Sequence, residues 1–279
     1  MLSKERVRQH WEAEPAGIRY GQSAEAEAFC RETERQRYAL EPYIPDFAEF
    51  GRYAGQRVLE IGVGLGVDFS QFVRHAAVAV GIDLTVAGVV LTQQRLRLLQ
   101  GEANRSGLSR ADAERLPFRD DSFDLVYSWG VLHHSPDTEA TFAEAFRVLK
   151  PGGTLKTMIY HVCSWTVLMV WVRYALLRGQ PFLGARECIS RHLESPGTKA
   201  YTLWEAERMV RSTGFRDVRI GTKLGPGDLL TIRASKRYEG KLYRLVWALY
   251  PRWLVRFMGD RFGLFMLITA SKPTGACAP

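Results

Sequence analysis

Four stretches of this sequence combine chemically useful residue types with spacings that could bring them together. The first, Glu60-Ile61-Gly62-Val63-Gly64-Leu65-Gly66, sets three glycines at alternate positions. Glycine lets a backbone turn tightly and approach a ligand closely. The pattern is GxGxG, and Val67 stands where the dinucleotide fingerprint GxGxxG needs its third glycine. The second is Asp83, which ends an apolar run. A carboxylate there can accept both ribose hydroxyls of an adenosine, or it can cap the helix that follows. The third is Asp112-Ala113, where an Asp can accept the adenine amino group and a neighbouring backbone N–H can serve a ring nitrogen. The fourth runs from Ser128 and Trp129 to Asp137 and contains His133 and His134 side by side. With His161 further along, these histidines are the candidates for a general base.

Such residues need a scaffold that gathers them. Residues 57–61, 77–83, 122–128 and 154–160 are short apolar runs bounded by turn residues, and the pattern predicts buried strands. Residues 68–75, 85–100 and 138–149 carry helical periodicity, the last ended by Pro151-Gly152-Gly153. Strands alternating with helices imply an α/β fold, a doubly wound parallel sheet. In such sheets ligands bind beyond the carboxyl ends of the strands, which is where the four stretches fall. A helix over 202–213, a strand over 215–223 and a last strand over 262–272 continue the pattern. The expected organisation is an N-terminal helical segment (1–50), a core (51–160), a helical cap insert (161–201) and a C-terminal part of the core (202–279) with a basic and aromatic insert at 236–262.

The chain has 279 residues, 46% hydrophobic, enough for a sizeable core. Its first residues are charged and lack the apolar run of a signal peptide. Cys30, Cys163, Cys188 and Cys277 form no CxxC pair, so neither a metal site nor a disulfide framework is expected, and the setting reads as reducing and cytoplasmic. The net charge of +8 would suit nucleic acid, an anionic membrane surface or an acidic small substrate. In 236–262, Lys236, Arg237, Lys241, Arg244, Arg252, Arg256 and Arg261 alternate with Tyr238, Tyr243, Trp247, Tyr250, Trp253 and Phe257. A helix packed by its aromatic face comes first among the readings. Peripheral contact with an anionic membrane comes second, and single-stranded nucleic acid third.

In order and at matching spacing, residues 56–160 resemble the successive motifs of class I, Rossmann-like methyltransferases, in the type 11 group that includes the ubiquinone-biosynthesis enzymes. The motifs are the glycine run from Glu60, Gly81-Ile82-Asp83, Asp112-Ala113 with Leu116-Pro117-Phe118, Phe123-Asp124-Leu125-Val126, Gly130 to Asp137, and Leu149-Lys150-Pro151-Gly152-Gly153. The resemblance implies S-adenosylmethionine as cofactor and S-adenosylhomocysteine as product. It implies that Gly62, Gly64 and Gly66 line the methionine part and that Glu60 supports the loop. Asp83 would bind the ribose, Leu84 would pack on adenine, and Asp112 with Ala113 would read the adenine edge. Ser128, Trp129 and His133 would sit near the methyl donor. It also implies an antiparallel last strand and an N-terminal segment that folds over the cofactor as a lid.

The implied reaction is in-line displacement at the sulfonium methyl, with orientation and a water-poor site supplied by the protein. An oxygen acceptor comes first and a small thiol or sulfide second. Trp11, Tyr20, Tyr160 and Trp165 are expected to wall the acceptor pocket, the last on an apolar helix over 165–178. Arg191 and His192 could face an anionic acceptor. Three competing readings are a nicotinamide-dependent oxidoreductase, disfavoured by the absence of a YxxxK pair, a non-catalytic scaffold that binds the cofactor, and an RNA or protein methyltransferase. The last lacks an NPPY-type tetrapeptide after the fourth strand, so a small-molecule acceptor is favoured. The sequence does not specify the oligomeric state.

Overall fold

The computed structural model describes residues 4–76, 78–100, 106–231 and 250–275. Seven strands form one sheet: β1 (Arg57–Ile61), β2 (Val78–Asp83), β3 (Ser106–Arg110), β4 (Phe123–Trp129), β5 (Leu149–Tyr160), β6 (Arg216–Lys223) and β7 (Phe265–Ser271). Their order is β3-β2-β1-β4-β5-β7-β6. The first five pair in parallel, and β7 runs antiparallel between β5 and β6, as the expected antiparallel last strand requires. The chain crosses from β1 to β2 on one side and later returns to place β4 on the other. The crevice at this switch point opens between the carboxyl ends of β1 and β4, where open α/β sheets take their ligands.

The inner strands β1, β4 and β7 are apolar because both faces of the sheet are covered there, whereas the edge strands β3 and β6 are polar. On one face α4 (Val67–His75) buries Phe69 and Phe72 against Tyr127 and Tyr53. On the other, α6 (Thr138–Val148) and α9 (Leu203–Ser212) bury Phe142, Val148 and Met209 with Phe215 and Leu155. Each of these two helices starts on a side-chain cap, Asp137 for α6 and Thr202 with Glu205 in a capping box for α9. α5 (Val86–Gln100) follows β2.

Three local expectations need correction. α6 ends at Val148, three residues before Pro151, and Pro151-Gly152-Gly153 lies inside β5, whose first residue Leu149 pairs with Phe123 across a register shift. Asp83 does not cap α5: the Thr85 hydroxyl accepts the Gly88 N–H at 3.0 Å, and Glu12 accepts from Val86 and Ala87. In the C-terminal insert, α11 (Arg252–Met258) buries Val255 and leaves Trp253 and Phe257 73% and 85% exposed. The helix is anchored by its first residue, because the Arg252 guanidinium donates to the carbonyls of Leu229 and Leu230. Lys236, Arg237, Tyr238, Lys241, Tyr243, Arg244, Trp247 and Cys277 lie outside the described residues.

The remaining helices frame the crevice. α1 (Lys4–Ala13), α2 (Ala26–Leu40) and α3 (Ile44–Ala48) precede the sheet. α7 (Trp165–Tyr174), α8 (Ala185–His192) and the short α10 (Pro226–Leu229) follow β5 and β6. The apolar insert is a helical pair, with α7 closed by a 3-10 turn and packed on α8. Among the described residues, no helix is long and apolar enough to cross a membrane.

Candidate functional site

The glycine loop leaves β1 with its backbone turned by positive φ angles. Gly62 has φ +83°, and a Cβ there would sit 2.2 Å from Val131 Cγ2. Gly66 has φ +71°, and a Cβ there would meet Thr92 Cγ2 at 2.7 Å. Only glycine allows both this conformation and this approach. The loop is held from two sides: Asp83 Oδ2 accepts from Gly64 N at 3.0 Å, and Thr92 donates to the Gly64 carbonyl at 3.0 Å. Asp83 Oδ1 accepts from Thr85 N and its hydroxyl. This carboxylate therefore ties the turn after β2 to the loop after β1, the two places an adenosine would span.

Beyond β4, residues 132–134 form a single 3-10 turn that buries both histidines. His134 Nδ1 faces two hydroxyls, Ser195 Oγ at 2.9 Å and Thr198 Oγ1 at 3.1 Å. Its Nε2 faces Glu194 Oε2 at 3.4 Å, and the Tyr160 hydroxyl donates to the same oxygen at 2.8 Å. Burial opposes ionisation of Glu194, yet the His134 and Tyr160 contacts hold its carboxyl below the usual range. His133 is fully buried, with ring centres 4.2 Å from His134 and 4.0 Å from Tyr160, and neither of its nitrogens has a partner. Burial, then the adjacent His134, pushes His133 well down, so it is neutral near pH 7. The segment after α8 clasps the turn: Lys199 N donates to the His133 carbonyl, and Lys199 Nζ donates to the carbonyls of Ser135 and Pro136. Glu194 has φ +50°, in the left-handed region. A non-glycine residue pays about 1–3 kcal/mol there, and the contacts around Glu194 offset that strain.

An aromatic wall continues from the histidines. Tyr160 stacks on Phe265, and Phe265 meets Trp129 edge-on. Trp129 also packs against Tyr43 and Phe47. Behind Trp129 lies a buried polar group. Arg37 donates to Asp68 through Nε at 2.9 Å and Nη2 at 2.5 Å, and Asp68 also accepts from Tyr38 and Tyr127. Glu41 and Glu60 are each 3% exposed, and each has an Oε2 without a hydrogen-bond partner. Burial pushes the Glu41 carboxyl up to about 7 against the pull of Arg37. Burial, with Asp68 adding, raises Glu60 well above the carboxylate range.

α1 crosses the mouth of this crevice. Lys4 Nζ reaches Asp112 and Glu114, both at 2.5 Å. Glu12 covers the first N–H groups of α5, where negative charge favours the helix dipole. Trp11 meets His134 edge-on at 5.2 Å. One helix thus touches the exits of β2, β3 and β4.

The fold gathers most of the candidates from the sequence. Gly62, Gly64, Gly66, Asp83 and Leu84 lie around the first two strand exits, and Asp112 and Ala113 follow β3. Trp11, Trp129, His133, His134 and Tyr160 form one connected aromatic group, and Tyr20 lies within the electrostatic reach of Glu41 and Glu194. Several others are elsewhere. The Ser128 hydroxyl bonds the Ile61 carbonyl between two strands. His161 faces the Gly263 carbonyl. Trp165 packs on Phe262. Arg191 pairs with Glu187 on the outside of α8, and His192 stacks on Tyr174 at 3.8 Å. Periodicity could not show that α8 turns these last two side chains away from the crevice. No motif in the sequence marks Glu194, Glu41 or Arg37. His133, His134 and Glu194 offer donor atoms within 4.8 Å of one another, a grouping that spacing does not reveal because the third is distant in sequence.

This sheet order, glycine loop and pair of acidic strand exits define a Rossmann-like nucleoside-binding fold. Residues 59–156 match the family model of a methyltransferase domain. Over 106 residues it is 42% identical to the phthiotriol/phenolphthiotriol dimycocerosates methyltransferase 1 of Mycobacterium ulcerans, covering 37% of this chain and 36% of that protein. Over 123 residues it is 32% identical to the sterol 24-C-methyltransferase erg6 of Aspergillus fumigatus, covering 42% and 30%. The chain thus spans about a third of the length of these curated relatives. In fold it is similar to the Haemonchus contortus phosphoethanolamine N-methyltransferase 2 solved with phosphomonomethylethanolamine and S-adenosylhomocysteine (TM-score 0.59, 20% identity, 98% of this chain and 61% of that one). It is similarly close to the [4+2]-cyclase SpnF (TM-score 0.57, 18% identity, 97% and 92%). One fold therefore carries different reactions, and the reaction must be argued from the site.

Proposed function

We propose that this protein transfers the methyl group of S-adenosylmethionine to a hydroxyl oxygen of a small, lipid-like acceptor. The residues present suit that cofactor. The glycine loop leaves a cradle that any Cβ would fill, Asp83 stands where a ribose needs acceptors, and a buried carboxylate oxygen of Glu41 lacks a partner. When bound, the cofactor supplies an electrophilic methyl carbon and a thioether leaving group. The chain orients the acceptor, excludes water and takes a proton. Trp11, Trp129, Tyr160 and Phe265 suit an apolar acceptor body, in keeping with the lipid and sterol names of the relatives.

One observation carries the reading: His134 Nε2 is aimed at Glu194 while Ser195 and Thr198 fix Nδ1. With Nε2–H turned to Glu194, the Nδ1 lone pair is the proton acceptor, and the proton leaving the attacking hydroxyl would reach it through the Ser195 or Thr198 hydroxyl. Glu194 and Tyr160 would stabilise the resulting imidazolium.

The test is release of S-adenosylhomocysteine with phenols, quinols, small thiols and lipid-like acids as acceptors, repeated on His134→Asn. An alcohol or phenol acceptor should lose about 10²–10⁴-fold in kcat with KM little changed. Full turnover by His134→Asn would remove the base assignment. Turnover with thiols alone would replace oxygen by sulfur, since a thiolate needs no base.

A further inference from the structure

Glu41 follows the last residue of α2, and its N–H bonds the Arg37 carbonyl at 2.9 Å. Residues four apart at a helix end share a face, so Arg37 and Glu41 both enter the buried group behind Trp129. Their charges do not cancel. Arg37 gives two hydrogen bonds to Asp68 and lies over the Trp129 ring at 5.9 Å. Glu41 keeps one buried oxygen with no donor, and Glu60 keeps another. Glu41, Glu60 and Asp68 thus share one guanidinium, leaving an excess of acidic groups in a dry place. A buried carboxylate without a partner is costly. A site built this way gains most from a ligand that brings positive charge and N–H donors together.

We propose that Glu41 is the receptor for the α-ammonium group at the amino-acid end of the cofactor. The inference rests on the methyl-transfer reading above and extends it to a residue outside the glycine loop. An ammonium offers three N–H donors and a full charge, whereas a sulfonium offers charge but no donor. Glu41 also belongs to the right neighbourhood. It shares Arg37 and Asp68 as charged neighbours with Glu60, which opens the glycine loop, and it is hydrogen-bonded to Trp129 at the end of β4. The groups facing it are Arg37 from its own helix, Asp68 from α4, Trp129 from β4, Tyr160 from β5, Glu194 from the segment after α8, and Tyr20 and Tyr43 on either side of α2.

Two ligands that differ only at the amino-acid end test the assignment by calorimetry at pH 8. S-adenosylhomocysteine carries the α-ammonium, and 5′-methylthioadenosine keeps the nucleoside and sulfur but lacks it. Glu41→Gln should weaken S-adenosylhomocysteine about 10- to 100-fold, the range for a hydrogen bond to a charged group, and leave methylthioadenosine within about twofold. Wild-type affinity for S-adenosylhomocysteine should also fall as pH drops below about 7, and this dependence should vanish in Glu41→Gln. Equal loss of both ligands, or no loss of either, overturns the role of Glu41. If the wild type binds methylthioadenosine no more weakly than S-adenosylhomocysteine, only the Glu41 assignment falls. If the wild type binds neither, the methyl-transfer reading falls with it.

Discussion

Replacing Glu41 by Gln should stabilise the protein without ligand, and the gain should depend on pH. The Glu41 carboxyl ionises at about 7 in the folded chain, against 4.5 for an unperturbed Glu. Between these values the folded protein holds a proton that the unfolded chain has released. The stability contributed by that proton is complete below 4.5 and is lost as pH rises through 7. Above pH 7 the group is charged in both states, and its burial costs the wild type about 3 kcal/mol, at about 1.4 kcal/mol per tenfold change. Gln is uncharged, nearly the same shape, and can still accept from Trp129. Urea unfolding monitored by circular dichroism at pH 5 and pH 8 reads the difference. Glu41→Gln should unfold close to wild type at pH 5 and be about 2–3 kcal/mol more stable at pH 8. At about 2–4 °C per kcal/mol for a chain of this size, the thermal midpoint at pH 8 should rise by about 5–10 °C. A loss of stability at pH 8, or the same difference at both pH values, would refute the argument, because it would mean that Glu41 is already paired in the free protein. With the binding experiment above, the variant is expected to be more stable and a weaker binder, the usual signature of a residue kept for a ligand rather than for the fold.

Two other perturbations reach different parts of the site. Gly62→Ala places a methyl group 2.2 Å from Val131 at φ +83°; it should cost about 2 kcal/mol or more in urea unfolding and abolish S-adenosylhomocysteine binding, and a variant that binds normally would show that the loop can move away. Replacing Lys4 and Glu12 together by Ala removes the contacts that fix α1 across the crevice, each worth about 1 kcal/mol or less at a part-exposed site; S-adenosylhomocysteine should then dissociate several-fold faster in stopped-flow fluorescence, whereas an unchanged rate would mean that α1 is not a lid.

Much of this protein was legible in its sequence, for local reasons. Strands β1, β2 and β4 are short apolar runs because they are covered on both faces, and no folded context is needed to see that. Gly62 and Gly66 are required by backbone conformation and close approach, which spacing alone reveals. Asp83 and the His133-His134 pair stand at strand exits, so once the strands are known their place at the crevice follows from the fold class. What the tertiary structure decided depends on chain segments meeting from far apart. Asp83 could have capped α5; the Thr85 hydroxyl and Glu12, arriving from α1, do so instead and leave Asp83 to hold Gly64. His134 became an oriented base candidate only when the segment after α8 brought Ser195, Thr198 and Glu194 around it. His192 and Arg191 were equally plausible by residue type, but α8 pairs Arg191 with Glu187 on its exposed side and stacks His192 on Tyr174 of α7. Glu41 carries no motif at all. Its character comes from burial beside an Arg37 already engaged by Asp68, and the electrostatics of a buried site are a sum over neighbours that the order of residues along the chain does not specify.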